Sequence, residues 1–136
     1  MTLPITYLTT FPAFLGYFVC AIALTVVFTL IYSWVTPYDE MRMIREGNSA
    51  ASVSLGGAIL GFVIPLASVI AHSFNVVDMA IWGSVALLVQ IGAHLVSRLT
   101  IPNYREDMAA ARMSVAAWKA TISLAVGILN AACMVF

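Results

Sequence analysis

Four apolar stretches, residues 11–35, 50–71, 79–99 and 114–136, take up most of this chain. Each has the roughly 20 residues that a helix needs to cross the ~30 Å hydrocarbon core of a bilayer. With 62% of its 136 residues hydrophobic and 9% charged, the chain is far more apolar than a soluble domain, where about 25% are charged. Lipid accepts an apolar exterior that water would not. The expected fold is an all-α integral membrane protein with four transmembrane helices, forming one unit over residues 1–136 and in contact with the lipid bilayer. Formal net charge is zero, so there is no basic surface of the kind nucleic acid requires.

All six Lys and Arg fall in or beside two of the three connections. Arg42 and Arg45 lie in the first, and Arg98, Arg105 and Arg112 flank the third with Lys119 just beyond. The second, SFNVVD, carries one acid, Asp78, and no base. Because basic connections stay cytoplasmic, both termini are expected outside. The first stretch lacks an N-terminal Lys or Arg and is too long for the apolar part of a secretory signal, so it reads as a retained helix. Cys20 and Cys133 fall inside apolar stretches at depths differing by roughly 9 Å, too far for a disulfide.

The connections are short, which makes consecutive helices antiparallel neighbours. Thr36-Pro37 and Ile101-Pro102 stop the first and third helices, since a residue before proline is pushed out of the α region. Asn48 and Ser49 suit the N-cap of the second helix, and Ser114 marks where the fourth enters lipid. Residues 104–113 are expected to form a helical extension at the interface. A shift of 65 residues lays Pro37 on Pro102, Ala21 on Ala86, Leu30 on Leu95, Ser49 on Ser114 and Ala51 on Ala116. That order predicts two tandem two-helix repeats, about 11–73 and 79–136, related by an axis along the membrane normal.

Polar residues in lipid-spanning helices face a protein interior or a water-filled path. The first helix carries Thr25, Thr29 and Ser33 at i, i+4 spacing, and the third carries Gln90, His94 and Arg98 at the matching positions of the repeat. The second offers Gly57, Gly61 and Pro65, with His72 further on, and the fourth Lys119, Ser123, Gly127 and Asn130. Gly57-x-x-x-Gly61 lets two helix backbones approach closely, and Pro65 frees a carbonyl one turn earlier and predicts a kink. His94 and Lys119 sit roughly 6–8 Å below the same cytoplasmic surface, with Gln90 one turn deeper. Lys119 is long enough to reach the headgroups, and His94 would serve equally as a packing residue. Together they form the best candidate for a proton-sensitive site, since an unperturbed histidine titrates near pH 6.5.

No acid occurs inside any apolar stretch. Partners for Lys119 and Arg98 must therefore come from the connections, through Asp39, Glu40, Glu46, Glu106 or Asp107, with Arg42 beside them. His72 and Asp78 border the outer connection and are expected to face water. The chain has no phosphate-cradling glycine loop, no HExxH helix and no metal-spaced cysteines, so no enzyme, cofactor or metal site is expected.

The stretch TPYDEMRMIREGNSAASVSLGGAILGFVIPLAS and the ending GILNAACMVF closely resemble the YjfL family of bacterial inner-membrane proteins, classed as a domain of unknown function. Glu40, Arg42, Glu46, Asn48 and Pro65 carry the likeness, with Asn130 and Cys133 in the ending. The resemblance implies four helices in two-helix repeats and an inner-membrane location, and assigns no residue a role. Two functions follow as expectations. One is a homodimeric, proton-dependent transporter or channel for ions or small solutes, its path lined by His94, Lys119, Gln90, Arg98, Asn130, Thr25 and Thr29. The other is an accessory subunit that binds other membrane proteins through the Gly57–Gly61 face.

Overall fold

The computed structural model of the chain describes residues 3–36, 40–101 and 103–134, and every regular element among them is helical. Six helices follow in order: α1 Leu3–Val35, α2 Glu40–Arg45, α3 Ser49–His72, α4 Val76–Leu99, α5 Tyr104–Ala109 and α6 Met113–Cys133. The helices α1, α3, α4 and α6 are long and apolar enough to cross a bilayer. Two features go beyond the expected outline. The first helix begins well before residue 11, and the first connection contains a helix of its own, α2. Pro37, Tyr38, Asp39 and Pro102 lie outside the described residues, but both long helices end just before those prolines, as predicted.

Local chemistry fixes the connections. Asn48 caps α3 by accepting from the Ala51 N–H at 3.1 Å. Its amide also donates to the Met108 carbonyl of α5 at 2.9 Å, tying the two basic connections together. Each short helix closes with the same reverse turn. In α2, Gly47 (φ 90°) donates to Ile44 and Asn48 to Met43; in α5, Ala111 (φ 55°) donates to Met108 and Arg112 to Asp107. This paired bonding onto the last carbonyls is how a left-handed residue ends a helix. At the other end of the bundle, Asn75 accepts from the Asp78 N–H at 2.8 Å and the Asp78 carboxylate accepts from Phe74 N–H at 3.1 Å.

The most extensive packing joins α3 to α6, the two helices that follow the short ones. Small residues make it possible. A Cβ on Gly57 would lie 2.5 Å from the Ala120 Cβ, and one on Gly61 would lie 2.5 Å from the Ser123 carbonyl oxygen. A Cβ on Gly127 would run into the Gly61 carbonyl. That carbonyl is the one Pro65 deprives of its helical N–H donor, because Pro65 follows it by four residues. At Gly127 it meets Cα hydrogens, a weak but favourable partner that no side chain blocks. So the glycine pair expected to join helices is used within this chain, and α3 is helical straight through the buried Pro65.

Around this pair, α4 packs against α3, α6 and α1, with Met79, Gly83, Ala86, Leu87, Gln90, Ala93, His94 and Ser97 turned inward at helical spacing. Phe28 stacks on Phe62 at 4.7 Å between centroids, joining α1 to α3. Tyr17, Cys20, Ala21, Leu24 and Ile31 pack against the same core, while Phe11, Phe14, Phe18, Ile22 and Leu30 on the other face of α1 are exposed. Cys20 and Cys133 are both free.

Gly127→Ala and Gly61→Leu are expected to destabilise the fold by about 1–3 kcal/mol or more, since both push against backbone. Gly56→Leu should be tolerated, because a Cβ at Gly56 meets nothing within 4 Å. Thermal unfolding in detergent checks the contrast. Equal midpoints for Gly127→Ala and Gly56→Leu would refute the close crossing.

Candidate functional site

The buried face of α1 at the α2/α5 end runs Phe28, Tyr32, Thr36, at i, i+4 spacing but one residue out of step with Thr25, Thr29 and Ser33. Thr25 and Thr29 are partly buried, and their hydroxyls donate to the carbonyls of Ala21 and Thr25 on their own helix. Ser33 is exposed. The polar stripe read from sequence is therefore self-satisfied, and the helix presents an aromatic residue in its place.

Tyr32, with 0% of its surface exposed, is the centre of a cluster built from five helices. Its hydroxyl donates to Glu40 Oε1 at 3.1 Å. The Lys119 ammonium donates to the same hydroxyl, and its Nζ lies 4.2 Å from the centre of the Tyr32 ring. The His94 ring packs on Tyr32 at 4.4 Å between centroids. Ser54 Oγ, from α3, reaches Glu40 Oε1 at 3.5 Å. Glu40, His94 and Lys119 are 4%, 1% and 0% exposed, so none of the three is a surface charge. Lys119 does not extend to the headgroups, and Glu40, read as a charge of the connection, is folded back beneath it.

The histidine's bonding is defined by its neighbour. Thr36 Oγ1 donates to the Tyr32 carbonyl at 2.6 Å, which uses its one hydrogen. Its contact with His94 Nε2, at 3.5 Å, then needs the proton on Nε2. Nδ1 is left with no hydrogen-bond partner among the described residues. Ser97 Oγ donates to the His94 carbonyl at 2.7 Å, and Arg98 reaches across to donate to the Val35 carbonyl at 3.1 Å. A cation on the last carbonyls of α1 is favoured by the helix dipole and pins that end to α4.

Deeper along α4, Gln90 Nε2 donates to the Ser123 carbonyl at 3.2 Å, beside the Gly61–Gly127 crossing. Its Oε1 is unpaired among the described residues, as is Nδ2 of the buried Asn130. His94, Lys119, Glu40 and Tyr32 are thus brought together. Gln90 and Asn130 follow on the same inner faces, while Thr25 and Thr29 stand apart. Asp39 lies outside the described residues. Arg42 and Glu46 are exposed and form an i, i+4 ion pair at 3.8 Å across the end of α2. Asp107 pairs with Arg112 at 3.6 Å. His72 is exposed at the opposite end, its Nδ1 2.8 Å from the Ser68 carbonyl. No group of three metal-ligating side chains occurs among the described residues.

Chemically, the cluster is a carboxylate, a phenol and an ammonium in hydrogen-bonded series, with an imidazole against the phenol. Such a series holds one positive and one negative charge out of water and offers a route for a proton between them. Removing one member of a buried pair costs about 3–5 kcal/mol because the other charge is stranded. Lys119→Met and Glu40→Gln should each destabilise strongly, and the double variant should lose much less than their sum. Strict additivity in a double-mutant cycle of unfolding midpoints would rule out the coupling through Tyr32.

Comparison with known proteins agrees with the family resemblance. The family described as Domain of Unknown Function (DUF350) matches residues 6–134. The UPF0719 inner membrane protein YjfL of Escherichia coli strain K12 is 37% identical over 122 residues, which cover 90% of this chain and 92% of that protein. YjfL of Escherichia coli O157:H7 aligns with the same identity and coverage. No solved structure matches the chain. The chain belongs to the DUF350 family.

Proposed function

We propose that this member of the DUF350 family is an inner-membrane protein that moves protons or small ions, working as a homodimer. The location follows the name borne by its Escherichia coli relatives. The basic connections favour the α2/α5 end as cytoplasmic, with both termini on the other side. One observation carries the transport reading: Lys119, Tyr32, Glu40 and His94 are buried in mutual contact among helices long enough to cross lipid. Ionisable groups at such depth are costly and mark proton relays and ion pathways.

From that cluster, Gln90 and then Asn130 continue the polar series toward the outer side. Between them the Gly61–Gly127 crossing closes the interior. Phe28, Phe62, Leu66 and Met79 fill the remaining core, so passage requires helix movement or a second copy. The exposed apolar face of α1, with Phe11, Phe14, Phe18 and Ile22, is a surface left for that copy. An internal duplication accounts for the same arrangement. Long, short and long helices follow each other twice, both short helices end in the same left-handed turn, and the 65-residue shift carries Ser54 onto Lys119 and Tyr32 onto Ser97. All four of those residues are buried around the cluster. The accessory-subunit reading has less support, because the Gly57–Gly61 face it relied on is occupied by α6.

Proteoliposomes loaded with a pH-sensitive dye test the reading. Wild-type protein should carry ion-driven proton flux above empty vesicles somewhere between pH 5 and 8. Lys119→Met should lower it on the order of 100-fold, the scale of losing a proton-transfer group. His94→Ala should change the shape of the pH profile while the protein stays folded. Flux no greater than in empty vesicles, under both sodium and potassium gradients, would end the transport reading.

A further inference from the structure

The surroundings of Lys119 describe a binding site already filled by the protein's own side chain. Its ammonium lies on the Tyr32 hydroxyl and 4.2 Å from the ring centre, an arrangement that attracts any cation. The Glu40 carboxylate is one hydroxyl further on, at 3.1 Å from the Tyr32 oxygen, and Ser54 Oγ adds a third oxygen centre at 3.5 Å from Glu40 Oε1. Oxygen donors of this kind suit hard cations. The charge count narrows the class. One carboxylate balances one positive charge, so a divalent ion would leave net charge buried at high cost. The geometry points to a monovalent inorganic cation site, formed by Tyr32, Glu40 and Ser54, in which the Lys119 ammonium is a tethered occupant that the free ion replaces.

The exchange balances. Lys119 gives up one N–H proton, which passes by way of the Tyr32 hydroxyl and Glu40 to water at the α2 end. One cation enters beside the neutral amine, and the charge of the cluster is unchanged. Titratable and charged groups gathered around the Tyr32 phenol with the lysine come from three helices: Tyr32 itself of α1, Glu40 of α2 and His94 of α4, with Arg98 one turn beyond His94. From α3 the cluster receives the Ser54 hydroxyl. In the α5 region the partly buried Asp107 is paired with the exposed Arg112. The inference deepens the transport reading and rests on it for its purpose, but cation binding is measurable without flux.

Thermal unfolding of detergent-purified protein in sodium or potassium chloride, against choline chloride at equal ionic strength, tests the site. Lys119→Ala removes the tethered occupant, so a small cation should raise its midpoint by ~4 °C or more over choline. Glu40→Gln in the same background should abolish the response. Wild type should show little cation preference at pH 6 and a growing one toward pH 9, with protons released on addition of the salt. If Lys119→Ala does not fold, wild type decides alone. Proton release on salt addition, followed from pH 6 to pH 9, should peak at the pH where cation preference is rising and fade where it levels off. No release at any pH in that range would overturn the site. Equal behaviour in choline and alkali chlorides, or a response that survives Glu40→Gln, would overturn the site. Cation binding with no vesicle flux would keep the site and dismiss transport.

Discussion

Everything in the interior depends on how closely α3 and α6 approach. Two backbones that meet at Gly61 and Gly127 leave no room for side chains at the crossing, so the residues flanking it on α6 are drawn to the centre of the bundle. Lys119 directly precedes Ala120, the residue that seats against Gly57. A wider separation would give the lysine a path along the helix surface to water. The close crossing removes that path and commits the charge to an internal partner. Pro65 belongs to the same device, because the carbonyl it frees is the one α6 covers.

That commitment explains why a connection folds inward. A buried ammonium requires a counter-charge, and the long helices contain no acid near it. Glu40 supplies one from the first turn of α2, which stands over the cluster with Glu40 and Met43 buried and Arg42 and Arg45 in its outer turn. Tyr32 joins the two charges while its ring packs with His94 and Phe28. It satisfies an apolar neighbourhood and a polar one at once, which few side chains do.

The architecture was largely legible in the sequence, since length and hydropathy of the apolar stretches depend on little beyond the bilayer. His94, Lys119 and Gln90 were legible too, because a charged or amide group inside such a stretch has few places to go. Tyr32 was not. Near the end of an apolar helix a tyrosine reads as an interfacial anchor, and its polarity is confined to one atom. Thr25 and Thr29 misdirect for the opposite reason: a threonine hydroxyl can bond the carbonyl four residues earlier and need not face an interior. Glu40 reads as one of several solvated acids in a mixed-charge connection, and its burial follows from α2, a helix too short to leave a periodic signal.

The guanidinium of Arg98 on the Val35 carbonyl has a mechanical consequence. It anchors α1 at one end, while Phe11, Phe14 and Phe18 in the opposite half of that helix are turned away from the bundle. At 33 residues and ~50 Å, α1 exceeds the hydrocarbon thickness, so it accommodates a thinner or thicker bilayer by tilting. The pivot for that tilt is the pinned terminus, one turn from Tyr32. A change of membrane thickness that tilted α1 would act on a lever whose short arm holds the phenol between its two charges.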